Sequence, residues 1–161
     1  MKILQLHNPY GAAHQTPTKI IIHAMAEYVY DPSDRTYKHA PTFLERQNYS
    51  VHAMGAPDGT IYRCRADDEG AYHARGFNAG TLGYEVLVKG QHDYASFEKT
   101  IRTAYMTGEQ YASAVEQCRE WMRLHGITEV VRHSDVSPGR KIDPGAGFPW
   151  NKFSFDIRRH Q

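Results

Sequence analysis

Between Glu109 and His125 the apolar side chains Tyr111, Val115, Cys118 and Met122 recur at steps of three and four residues, the period of one helix face. Thr107 and Gln110 form a capping-box pair ahead of this run, and Gly126 is placed to stop it. The β-branched stretch Ile127–Val131 follows at once and reads as a strand. A helix that hands directly to a strand must lay its apolar face on a sheet, which points to an α/β fold.

Other segments supply the rest of that sheet. Thr18–Ile22 (TKIII) is a buried-strand pattern bounded by Pro17 and ending at His23. Leu82–Val88 (LGYEVLV) is another. Ser50–Met54 and Thr60–Arg63 flank Ala56-Pro57-Asp58-Gly59, whose Asp-Gly pair predicts a hairpin. Pro41–Asn48 reads as a short helix and Glu27–Ala40 as a loop. A Gly/Pro-rich loop spans Ser137–Pro149, followed by a polar tail carrying Phe153 and Phe155. Hairpin and crossover spacings together predict a central mixed β-sheet flanked by helices, one domain over residues 1–161.

Lys and Arg number 19 against 18 Asp and Glu, so the charge balance gives no reason to expect a nucleic-acid partner. No apolar run approaches the roughly 18 residues of a membrane span, so no membrane insertion is expected. The start MKILQLHNPYGAAH lacks the charged-then-apolar pattern of a signal peptide, which leads to an expectation of a cytoplasmic protein. In that compartment Cys64 and Cys118 are read as buried thiols. A monomer is expected. Trp121 and Trp150 are read as packing residues.

The ten histidines are the unusual part of the composition, because imidazole is the commonest metal ligand. His23 ends one predicted strand, His133 ends a second, and Asp143 lies ten residues further on in the Gly/Pro loop. Two imidazoles and a carboxylate make a catalytic zinc set with a fourth position free. Spacing alone leaves open the alternative of hydrogen-bonded or surface histidines.

The local sequences narrow the choice. His133-Ser134-Asp135-Val136-Ser137-Pro138-Gly139-Arg140-Lys141-Ile142-Asp143-Pro144-Gly145 resembles the carboxy-terminal zinc motif of the type 2 N-acetylmuramoyl-L-alanine amidases. That family includes phage endolysins, cytosolic amidases of wall recycling and peptidoglycan-recognition proteins. Ile20-Ile21-Ile22-His23 is similar to its first-ligand strand. Ser50-Val51-His52 with Asp58-Gly59-Thr60-Ile61-Tyr62 resembles its central hairpin. Ala71-Tyr72-His73-Ala74, Asn78 and Gly83-Tyr84-Glu85 continue the series, and the likeness runs from about residue 17 to 150. It implies the amidase and peptidoglycan-recognition fold, a Zn2+ ion held by His23, His133 and Asp143, and hydrolysis of the amide between N-acetylmuramic acid and L-alanine in peptidoglycan or muropeptides.

It also implies roles for other residues. Lys141 would hold the oxyanion, the alternative being a solvated lysine beside Arg140. Glu85 stands among apolar residues, where an unpaired carboxylate is costly, and matches the family's general base; a salt-bridged structural glutamate is the alternative. Some members place a tyrosine near the metal just before the hairpin histidine, where this chain has Val51. His73 and Asn78 fall in the segment bordering the family's substrate groove, where a loop-stabilising hydrogen bond is the competing role. His52 is read equally as a core or a catalytic histidine. His7, His14, His39, His92, His125 and His160 have no matching context.

Three functions follow: an endolysin attacking polymeric wall, a recycling amidase acting on soluble anhydro-muropeptides, and a non-catalytic recognition module. Recognition modules of the family lack a zinc ligand, and here all three are present. The short connection from Gly59 to Glu85 leaves little chain for a substrate-gating insertion, which favours the endolysin.

Overall fold

A computed structural model describes residues 1–159. The elements are β1 (Ile3–Gln5), β2 (Lys19–Asp31), β3 (Thr36–His39), α1 (Ala40–Arg46), β4 (Ala53–Gly55), β5 (Ile61–Arg63), β6 (Thr81–His92), α2 (Tyr94–Thr100), α3 (Gly108–His125), β7 (Glu129–Arg132), α4 (His133–Val136) and α5 (Trp150–Asp156). The strands form one mixed sheet in the order β1-β5-β4-β6-β2-β3, with β7 also paired to β2. No helix among the described residues is long and apolar enough to cross a membrane.

The long strand β2 organises the sheet. Its neighbour β6 runs parallel to it along almost its whole length. On its other edge β7 pairs in parallel with Lys19–Ile22 and β3 pairs antiparallel with Tyr28–Asp31. Neither strand reaches the stretch between, so the edge of β2 around Ala24 is left without a strand partner. Side chains alternate across a strand. Ile20, Ile22 and Ala24 of β2 and Leu82, Tyr84, Val86 and Val88 of β6 join the core under α3, with Cys118, Trp121, Met122, Phe153 and Ile157. Each such fully buried large apolar side chain contributes about 1.5–3 kcal/mol. The opposite face carries Met25, Leu87 and Met54, covered by α1, and beside them His23 and Glu85.

Three expectations need correction. The segment Glu27–Ala40 is not a loop: β2 continues eight residues past His23, and a hairpin returns as β3. Only Asp31 to Arg35 turn, with the Asp31 carboxylate accepting from the Ser33 N–H and hydroxyl and Arg35 at φ 57°. Thr107 does cap α3, accepting from the Gln110 N–H at 3.1 Å, but the reciprocal half of the capping box is absent. The buried Gln110 amide instead donates to Gly55 and Leu87 carbonyls at 2.8 and 2.7 Å, fastening the helix to β4 and β6. The tail is not merely polar, since α5 buries Phe153 while Phe155 stays exposed. The Asp58-Gly59 hairpin between β4 and β5 and the Gly126 stop, at φ 64°, are as read from sequence. Cys64 and Cys118 are free and buried. His160 lies outside the described residues.

Candidate metal centre

Register places the cluster. Ile22 of β2 pairs with Arg132 of β7, so the next residues, His23 and His133, emerge side by side. His133 opens α4, and a tight loop brings the chain back: Ser137 N–H donates to the His133 carbonyl, Lys141 N–H to Ser137, and Ser134 N–H to the Asp143 carbonyl at 3.0 Å. Asp143 thereby fills the uncovered edge of β2, where its Oδ2 accepts from the Ala24 N–H at 3.2 Å. Tyr105 fixes the loop beyond it, donating to the Pro144 carbonyl at 2.7 Å. Gly145 is required there: its φ is 85°, and a Cβ would stand 2.5 Å from the Ile101 carbonyl oxygen.

His23, His133 and Asp143 are all buried. The two Nδ1 atoms are 3.0 Å apart, His133 Nδ1 is 3.1 Å from each Asp143 oxygen, and His23 Nδ1 is 3.6 Å from Oδ2. A tetrahedral zinc ion with bonds of about 2.1 Å sets its donors about 3.4 Å apart, so three donors converging at these separations fit one. Burial pushes the His23 pKa down, against the opposing pull of the Asp143 carboxylate, and so favours the neutral ring that a metal ligand needs. Burial alone would raise the Asp143 carboxyl, but the hydrogen bond with His133 and the neighbouring His23 ring outweigh it and hold it well below the usual carboxylate range.

Glu85 pairs with His23 across β2 and β6, which puts its carboxylate beside the cluster. It is 6% exposed and, among the described residues, makes no salt bridge or hydrogen bond. Burial, reinforced by the Asp143 charge and opposed by Lys141, pushes its pKa well above the usual glutamate value. Both Glu85 and Lys141 line a groove of about 780 Å³ over the three donors. Tyr30, Tyr49, Tyr72 and Tyr94 also line it.

His73 and Asn78 are on the same groove wall. Asn78 Oδ1 accepts from the His73 and Ala74 N–H groups at 2.9 and 2.7 Å, closing the loop between them. His73 packs edge-on to His23, with both of its ring nitrogens within hydrogen-bonding distance of neighbouring side chains. His52 is fully buried behind it: Nδ1 accepts from the Gly83 N–H at 3.0 Å and Nε2 faces the Glu69 carbonyl at 2.8 Å. Burial pulls its pKa down to about 4, the signature of a neutral core histidine. His125 pairs with Asp67. Sequence reasoning missed Tyr105 and the Ala24 N–H, since neither belongs to a motif and both act through long-range contacts.

No match to the chain was found among curated proteins. Among solved structures, N-acetylmuramoyl-L-alanine amidase LysC from Clostridium intestinale URNW is 23% identical, covering 98% of this chain and 97% of its own, with a TM-score of 0.72. The endolysin N-acetylmuramoyl-L-alanine amidase LysCS from the same organism is also 23% identical, over 97% and 95%, at 0.72. A selenomethionine derivative of AmpD is 17% identical over 96% and 94%, at 0.71. These likenesses establish the fold. A family model described as N-acetylmuramoyl-L-alanine amidase matches residues 13–146, a span that runs from ahead of His23 to past Asp143, and the chain accordingly belongs to that family of peptidoglycan amidases.

Proposed function

We propose that the chain is a zinc-dependent amidase of the endolysin type, cutting the bond between N-acetylmuramic acid and L-alanine in polymeric wall. The observation that carries the metal part is the convergence of His23, His133 and Asp143 at the floor of the groove. A zinc ion held there by His23, His133 and Asp143 would supply a Lewis acid and lower the pKa of a water beside the amide carbonyl. Glu85, a carboxylate beside the donors that has no partner of its own among the described residues, takes the proton from the attacking water and returns it to the leaving amine. A carboxyl whose pKa is raised by burial holds such a proton more firmly than an ordinary glutamate does. Lys141 brings its ammonium group to the groove for the developing oxyanion. His73 and the amide of Asn78, whose Nδ2 has no protein partner among the described residues, line the wall against which a muropeptide lies.

The Lys141 role predicts that Lys141→Ala lowers turnover by about a hundredfold or more while metal content stays at the unaltered level. Steady-state turnover beside elemental analysis checks this, and unchanged turnover would return Lys141 to a solvated loop residue.

The endolysin assignment rests on the shape of the groove. Among the described residues, no helix or strand occurs between β5 and β6 to close over it. Exposed tyrosines at 49, 72 and 94 offer flat faces for sugar rings along its length. On this reading the enzyme acts as a monomer on the wall once released from the cytoplasm. The enzyme should clear outer-membrane-permeabilised Gram-negative cells and release peptide stems with free L-alanine amino termini, leaving the glycan chains long. Rapid hydrolysis of soluble anhydro-muropeptides with no loss of sacculus turbidity would instead make it a recycling amidase.

A further inference from the structure

A second line of hydrogen-bonding side chains runs behind the three donors. His23 turns Nδ1 toward His133 and Asp143, and its other nitrogen, Nε2, lies 2.8 Å from Nδ1 of His73. His73 Nε2 lies 2.9 Å from the Thr81 hydroxyl, which is in turn 2.7 Å from the Phe77 carbonyl oxygen and 3.1 Å from that of Asn78.

The proton positions follow from the last of these contacts. A carbonyl oxygen only accepts, so the Thr81 O–H must donate to Phe77 or Asn78. That leaves Thr81 Oγ1 to accept from His73 Nε2–H. A neutral imidazole carrying its proton on Nε2 has a bare Nδ1, which then accepts from His23 Nε2–H. His23 is left with a bare Nδ1, and its lone pair points into the donor cluster. The opposite assignment would strand two oxygens 2.7 Å apart with no proton between them. Two further features hold the His73 ring in this line. Asn78 clamps its backbone, and a Cβ on residue 83 would come within 2.7 Å of His73 Nδ1, so glycine at that point of β6 makes room for the ring.

We propose that His73 is a positioning residue for the metal: with Thr81 as its anchor, it sets the tautomer and ring orientation in which His23 presents Nδ1. The proposal rests on the zinc reading above and adds a role for two residues that touch no metal. Hydrogen-bond partners of metal-bound imidazoles typically change metal affinity by about 10–100-fold when removed.

The test is zinc affinity, measured by competition of the metal-depleted protein with a chromophoric chelator. His73→Ala should weaken binding by about 10–100-fold. His73→Asn, whose Oδ1 can take the place of Nδ1 as an acceptor, should recover most of the loss. Thr81→Val, which removes the anchor and keeps the shape, should fall between them. A merely structural role would lower the thermal midpoint of the metal-free variants and leave the affinity of the folded protein unmoved. Affinities within about twofold of the unaltered chain in Thr81→Val and in whichever His73 variant folds would overturn the proposal while leaving the zinc site standing. Failure of the unaltered chain to bind zinc would overturn both.

Discussion

Changing Glu85 to glutamine is expected to lower turnover by about two to four orders of magnitude while the protein keeps its metal. The amide is nearly the same size as the carboxylate and can still hydrogen-bond, so the groove keeps its shape; what is lost is the ability to take up and return a proton. Glu85 lies opposite His23 in the β2–β6 register and next to Met54 of β4, so its carboxylate is surrounded by strand on both sides and opens only toward the groove.

The same substitution has a second, independent readout. The raised pKa of Glu85 in the folded chain means that the unfolded chain gives up this proton first as pH rises. Between the ordinary glutamate value and the raised one, ionisation therefore favours unfolding, and stability present at low pH is lost. Metal-free Glu85→Gln should melt above the unaltered protein at neutral pH, with the difference closing as pH falls below the ordinary glutamate range. A structural glutamate held by a salt bridge would behave in the opposite way, losing stability on substitution and keeping near-normal turnover. Melting curves at two pH values, beside single-turnover rates, separate these outcomes.

Periodicity alone locates α3, because its buried residues repeat over several turns and caps mark both ends. The β-branched start of β2 is legible for a similar reason, yet its continuation through Ala24–Asp31 is not. Those residues are strand because β6, and towards the end β3, run beside them, a property of the pairing rather than of local preference. β1 leaves no pattern at all, since its three residues are exposed and are held only by parallel pairing to β5. α2 does carry a local signal: Asp93 caps it, accepting from the Ser96 N–H at 2.8 Å. The positions of His23, His133 and Asp143 are found through their surrounding motifs, because one of them is 110 residues from another and spacing says little at that distance. Contacts such as His23 with His73, or Tyr105 with Pro144, are created by folding and have no local trace in the chain.

His133→Ala should abolish both zinc binding and hydrolysis. The substitution removes the central donor of the cluster: His133 Nδ1 is the atom within 3.1 Å of both Asp143 oxygens and 3.0 Å of His23. The two remaining donors, His23 and Asp143, are held by different segments, β2 and the loop after α4, and two protein ligands do not make the three-donor set of a catalytic zinc site. The substitution also leaves the buried Asp143 carboxylate with one fewer hydrogen-bond partner, so the metal-free variant should melt below the unaltered metal-free chain. Elemental analysis should find one zinc per unaltered chain and none above background in His133→Ala. Chelation of the unaltered enzyme should stop hydrolysis, and added zinc should restore it. His125→Ala serves as the control, because His125 is hydrogen-bonded to Asp67 outside the groove and should keep both metal and activity. Full hydrolysis by protein from which zinc has been removed would refute the metal assignment, and with it the parts that Glu85 and Lys141 play in the proposed reaction.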